Sequence, residues 1–269
     1  MRRALRVMPT LLRVGFAEAV AYRAEMLVWV IATTMPFVMM VLWTTVAQTA
    51  PVVGQGGEAW GSDSFIAYFL AVFVVRQLVS AWAAWEITFE VRNGTLAMRL
   101  LRPLHPVFWY AMSNLAYVPQ RVLVTAPFIA ALLLGYGAHV ARDPALWLVW
   151  ALSIAGAWLI AFFVNVAVGS VAFFADSALK LMNVYLAAFF VFSGYLFPLE
   201  FFPPWLRAVA DALPFRFLVS FPVDLMLGRV TPAAALELLG LEYLWVAGLG
   251  TLALLMWRSG TQRFQAFGG

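Results

Sequence analysis

Between its apolar runs, the chain gathers its densest set of ionisable side chains from Glu86 to Pro106, EITFEVRNGTLAMRLLRPLHP. Glu86, Glu90, Arg92, Arg99, Arg102 and His105 can form ion pairs and polar contacts, yet nothing among them is a nucleophile with its base. The stretch reads as a helix that stops at Asn93 and Gly94, resumes behind Thr95 as a short helix with Leu96, Leu100 and Leu101 on one face, and ends at Pro103. Two readings stand: a helix-turn-helix on which something docks, or an ordinary basic loop at a membrane interface.

Elsewhere chemistry is sparse. Arg76 with Gln77, and Gln120 with Arg121, fall inside apolar runs, where an arginine costs about 2.5–3.5 kcal/mol on insertion scales. Each must face protein, water or a route to a headgroup, so the four residues form either a polar wall of a translocation path or an interhelical clamp. The sole lysine, Lys180, follows no Gly-rich loop, which excludes a P-loop for ATP. Serines lack a Gly-x-Ser-x-Gly frame and a histidine partner. Cysteine is absent and the two histidines, His105 and His139, are far apart, so thiolate and imidazole metal sites are excluded. The chain carries no catalytic, cofactor or metal residues by this reading and is not an enzyme. A lipid-acting intramembrane enzyme would have to be built from Asp176, Glu200 and Asp224.

The elements that position these residues follow from composition. Hydrophobic residues make up 64% of the 269-residue chain and charged ones 11%, with a mean hydropathy of +0.89; soluble domains average about 45–50% apolar and about 25% charged. Six apolar runs near bilayer length are expected as transmembrane helices, at about 26–47, 65–85, 115–136, 146–174, 181–197 and 238–257. They leave no room for a separate soluble domain, so residues 1–269 form a single all-α integral membrane domain. Residues 1–25 carry Arg2, Arg3, Arg6, Arg13 and Arg23 among apolar residues at helical spacing, the pattern of an amphipathic interfacial helix and not of a cleaved signal peptide. Placing both termini in the cytoplasm puts eleven Lys and Arg inside and four outside, the asymmetry expected of a multi-pass inner (plasma) membrane protein. The basic excess therefore meets lipid headgroups, and nucleic acid is not a partner.

Within the fourth run, Ser153, Ala157, Ala161, Asn165 and Gly169 recur every four residues and give a face of little bulk that admits a close helix, within the chain or in a twin subunit. Many aromatic residues, such as Trp43, Trp60, Trp85 and Trp109, mark run ends as interfacial anchors. Trp158, Tyr185 and Phe189 lie inside runs, where they pack or line an apolar path. Residues 198–236 are too apolar for a free loop and too rich in proline for one helix, and are expected to form short re-entrant helices on or in the outer leaflet.

Taken in order, Glu followed by Asn-Gly-Thr-Leu and Leu-Leu-Arg-Pro-Leu after the second run, and then SGYLFPLEFFPPWLRAVADALPF after the fifth, resemble the permeases of ABC-2 type transporters. The six runs, the amphipathic N-terminus and the inside termini agree with that family along the whole chain. The resemblance implies an exporter half that dimerises with itself or a homologous permease on two separate ATPase subunits, which would bind ATP and Mg. It also implies that residues 86–106 couple to the ATPase through Glu90, Arg92 and Arg99, with Gly94 at the turn and Leu96 and Leu100 as apolar anchors. The cargo expected is a hydrophobic small molecule, lipid or glycan. An ion-coupled secondary transporter is the alternative; it needs acids at membrane depth, for which Asp176 and Glu242 are the nearest candidates.

Overall fold

The computed structural model describes residues 10, 13, 33–50, 52–55, 57–175 and 177–264. Apart from residues 10 and 13, the expected amphipathic helix of residues 1–25 and the start of the first run lie outside the described residues, as does Asp176. The elements are helix α1 (Met35–Thr49), a two-residue hairpin β1 (Val52–Val53) and β2 (Ala59–Trp60), then α2 (Ser62–Val79), α3 (Ala83–Arg92), α4 (Leu96–Leu100), α5 (Pro106–Ala116) and α6 (Val118–Gly135). After these come α7 (Pro144–Ser170), α8 (Ala178–Phe192), α9 (Pro204–Ala212), α10 (Ser220–Met226) and α11 (Pro232–Arg263), with 3-10 turns between them. The described residues are all-α apart from the hairpin.

Among the described residues four helical stretches are long and apolar enough to cross a membrane: Ser62–Arg92, Pro106–Gly135, Pro144–Phe173 and Pro232–Arg263. They match the second, third, fourth and sixth expected runs. The helices in the place of the first and fifth runs, α1 and α8, are apolar but have 15 residues each, about 22 Å of helix against a hydrocarbon core of about 30 Å. Six full-length spans are therefore more than the described residues display.

Span boundaries shift where local chemistry outranks hydropathy. The third run was expected from Leu115, but its helix begins at Pro106. Proline at the first helical position needs no N–H partner, and the ring of His105 accepts from Val107 N at 3.3 Å. Four of the described turns carry glycine at positive φ, among them Gly94 at +72°.

Two stretches are central and two peripheral. In the most apolar window of Ser62–Arg92, 67% is buried, and in that of Pro144–Phe173, 56%; for Pro106–Gly135 and Pro232–Arg263 the share is 17%. The low-bulk face of α7 explains its central place, because Ser153, Ala157, Ala161, Asn165 and Gly169 are all buried within this one chain. A Cβ on Gly169 would stand 2.9 Å from the Ile87 side chain, and one on Gly156 would stand 2.8 Å from Glu242 Oε1. Close packing of small residues replaces the hydrophobic driving force that lipid cannot supply. Trp158 and Phe189 are buried in packing as well, Trp158 stacked on Phe162 with ring centroids 5.1 Å apart.

Residues 198–236 form the expected pair of short helices, α9 and α10. Nearly every residue of α10 is buried against α7 and α2. Its backbone is tied at both ends, Ser220 N donating to Ser193 O at 2.8 Å and Ala141 N to Met226 O at 2.9 Å. Over this end the hairpin folds back: Gln55 N donates to Glu200 O at 3.4 Å and Gln55 Nε2 to Phe202 O. Trp43, Phe65 and Phe201 stack beneath it at 5.5–6.0 Å.

Candidate functional site: a braced helical turn and a broken span

At the end of the bundle that holds Gly94, α3 leaves the span, turns and continues as α4. Its turn is made by the left-handed φ of Gly94, which a Cβ would strain. Thr95, expected to cap α4 with its hydroxyl, makes no side-chain cap bond and already has helical φ and ψ, so glycine geometry does the work assigned to the cap.

The carboxylate of Glu90 organises the far side of this turn. Arg99 Nε donates to Glu90 Oε2 at 2.8 Å and Arg99 Nη2 donates to Glu90 Oε1, a two-pronged pair. The Tyr110 hydroxyl of α5 donates to Glu90 Oε2 at 2.6 Å. A second acid, Glu86, is 3.5 Å from Arg99 Nη2. The guanidinium of Arg99 also lies 4.9 Å from the Tyr110 ring centroid and 5.1 Å from that of Trp109. Burial pulls the Arg99 guanidinium down, but the hydrogen bond and charge of Glu90 outweigh it and hold the group above its usual value. One charge pair thus binds α3, α4 and α5 into a single rigid corner.

The sequence-derived contact residues separate on this corner. Glu90 is buried and Arg99 is engaged with it. Leu96 is fully buried in a core with Ile87, Val107, Tyr110 and Trp257, whereas Leu100 is 39% and Leu101 86% exposed. The expectation of one face holding Leu96, Leu100 and Leu101 is therefore corrected: α4 has five residues, its first turn is tucked under Gly94, and its end projects outward. Outward with it face Arg92, Arg102 and the large side chains Phe89 and Met98, 65% and 71% exposed. Phe89 and Met98 were not singled out in the sequence, because an apolar residue in an apolar chain carries no signal until its surroundings are known.

The second feature is a break in the span Ser62–Arg92. α2 ends at Val79, Ser80 has extended geometry and α3 starts at Ala83. Broken backbone at membrane depth must be satisfied by neighbours, and three other helices do so. Arg121 Nη1 of α6 donates to Gln77 O at 3.1 Å and to Ser80 O at 3.0 Å, so a cation closes the carbonyl end of α2. Asn114 Oδ1 of α5 accepts from Trp82 N at 3.0 Å, and Asn165 Oδ1 of α7 accepts from Ala84 N at 3.2 Å, closing the amide end of α3.

Arg76, Gln77 and Arg121 are brought together here. Arg76 Nη1 bonds Ser80 Oγ at 3.1 Å, Gln77 Nε2 bonds Thr33 Oγ1 at 2.7 Å, and Arg121 stacks over Trp82 at 4.6 Å. Gln120, next to Arg121, does not join these bonds: its buried Oε1 makes no hydrogen bond among the described residues. Asn114, which the sequence reading passed over, holds the break as firmly as Arg121; the available signal was an amide inside an apolar run.

A bundle of long apolar helices, one of them broken and capped in this manner, defines a multi-pass membrane protein. Residues 25–268 match the family model described as ABC-2 family transporter protein, and the chain belongs to that family. It is an ABC-2 type permease, a membrane transport component. No curated protein matches it significantly.

Proposed function

We propose that the chain is the membrane half of an ATP-driven exporter, working as a homodimer or with a second ABC-2 permease on separate ATPase subunits that bind ATP and Mg. It sits in the inner (plasma) membrane with both termini cytoplasmic, which puts the Gly94 corner on the ATPase side. The observation that carries this reading is the Glu90–Arg99–Tyr110 brace. A corner made rigid by a charge pair transmits force from a docked domain into the broken span, whereas a loose loop would absorb it. Docking falls to the outward residues Arg92, Met98, Leu100 and Leu101, and Glu90, Arg99 and Leu96 act behind them as the frame. Arg76, Gln77, Gln120 and Arg121 flank the hinge in the span, where a path for a hydrophobic small molecule, lipid or glycan would pass.

The test is reconstitution with the ATPase. Glu90→Ala and Gly94→Pro should keep the protein inserted and the ATPase active but lower transport per ATP by at least about tenfold, since a barrier change of about 1.4 kcal/mol is already tenfold. Full transport by both variants would discard the coupling assignment.

A second reading, an ion-coupled secondary transporter, is favoured by Glu242. This acid lies within the span Pro232–Arg263, is wholly buried, and among the described residues neither of its oxygens has a hydrogen-bond partner in good geometry. Purification in mild detergent separates the two: a stoichiometric P-loop ATPase supports the exporter, and a stable complex without one supports ion coupling.

A further inference from the structure

At the Gly94 end of the bundle, a cavity of about 550 Å³ opens between the α4–α5 connection and the last turns of α11. Its polar wall is Arg102, His105, Arg258 and Thr261; its apolar wall includes Leu254 and Trp257. No acid lines it. Among the described residues neither Arg102 nor Arg258 belongs to an ion pair; Glu86 and Glu90 pair with Arg99. The Arg102 guanidinium lies 5.3 Å from the Trp109 ring centroid, and with Arg258 it puts two cations on the wall of one cavity, an arrangement that calls for an anion.

Depth and shape specify which anion. Arg102 precedes α5 by a few residues, and Arg258 follows the expected end of the last apolar run, so both stand where a span meets the headgroup layer. Leu254, one helical turn before Arg258, is 47% exposed, and the next residue, Leu255, is 57% exposed, so the apolar side of the cavity continues on the outer surface of α11. The cavity therefore has a cationic end at headgroup level and an apolar end running into the hydrocarbon. His105 lines the same wall, its Nδ1 accepting from Val107 N at 3.3 Å.

We propose that this cavity binds one anionic phospholipid of the adjacent leaflet, its phosphate held between Arg102 and Arg258 and an acyl chain laid along Leu254. Basic pockets between span ends recognise anionic headgroups by this combination of charge and depth. The site is separate from the hinge, borders the outward docking face at Leu100 and Arg102, and stands whichever transport reading holds.

The experiment uses the full chain in detergent with a photoreactive phosphatidylglycerol, followed by peptide mapping. Labelling should concentrate on residues 100–106 and 254–261, and phosphatidylglycerol should displace the probe there roughly thirtyfold better than phosphatidylcholine, given two arginines near the surface. Arg102→Gln with Arg258→Gln should abolish that preference, Arg102→Lys with Arg258→Lys should keep most of it, and Arg142→Gln with Lys180→Gln should leave it unchanged. The proposal falls if labelling is uniform along the spans, if the double glutamine variant labels as the parent does, or if inorganic phosphate displaces the probe as well as the lipid does. It also falls if a co-purified protein, rather than lipid, shields these two segments.

Discussion

A single carboxylate carries much of the architecture near Gly94. Glu90 accepts from two nitrogens of Arg99 and from Tyr110 at once, so its removal leaves a half-buried guanidinium and a buried hydroxyl unmatched. Glu90→Ala should lower the stability of the purified chain by about 1.5–3 kcal/mol, and Tyr110→Phe by about 1 kcal/mol, read by thermal unfolding in detergent. At the opposite end, Asp224 shows the reverse economy. Burial pushes its carboxyl up, against the lowering effect of Arg229 and of the Ser220 hydrogen bond. A carboxyl whose folded value is raised stabilises the fold below its unfolded value and loses that contribution as pH climbs through the folded one. Asp224→Asn should therefore melt higher than the parent at pH 7, with the difference vanishing as the pH falls below the normal aspartate range. A variant that melts lower at pH 7 would mean that the attraction of the nearby Arg229 charge outweighs burial.

Helices in this chain are held by what closes their ends. The break after α2 survives because Arg121, Asn114 and Asn165 arrive from three different helices to meet its carbonyls and amides. Asn165→Ala would strand the Ala84 amide and should cost about 1–3 kcal/mol, as should Asn114→Ala for Trp82; amide exchange at these two positions would rise selectively. The α7–α11 contact is sensitive to bulk instead of polarity. Gly156→Leu would drive a side chain into Glu242 and should destabilise by about 1–3 kcal/mol, whereas Leu148→Ala, on an exposed position of α7, should change little. Equal effects of the two would contradict the packing described.

At the scale of the molecule, the Gly94 end combines a rigid corner, an outward apolar and basic face, and a cationic cavity, while the hairpin and aromatic stack close the other end. If the corner meets an ATPase, changing Met98 and Leu101 together to serine should weaken co-purification of that subunit about tenfold or more, without altering the melting temperature. These side chains are 71% and 86% exposed, and exposed apolar anchors act in association and not in folding. By itself the sequence determined the membrane class, the long apolar runs, the turn at Asn93 and Gly94 and the low-bulk face of α7. Those features come from bilayer thickness, backbone freedom and helical period, all of which act over a few neighbouring residues. Only the tertiary structure decided the break at Ser80, which has neither proline nor glycine to announce it and exists because side chains 32 to 81 residues distant complete its hydrogen bonds. It alone also turned Leu96 inward and left Leu101 outward, since which side of a short helix is buried depends on what packs against it.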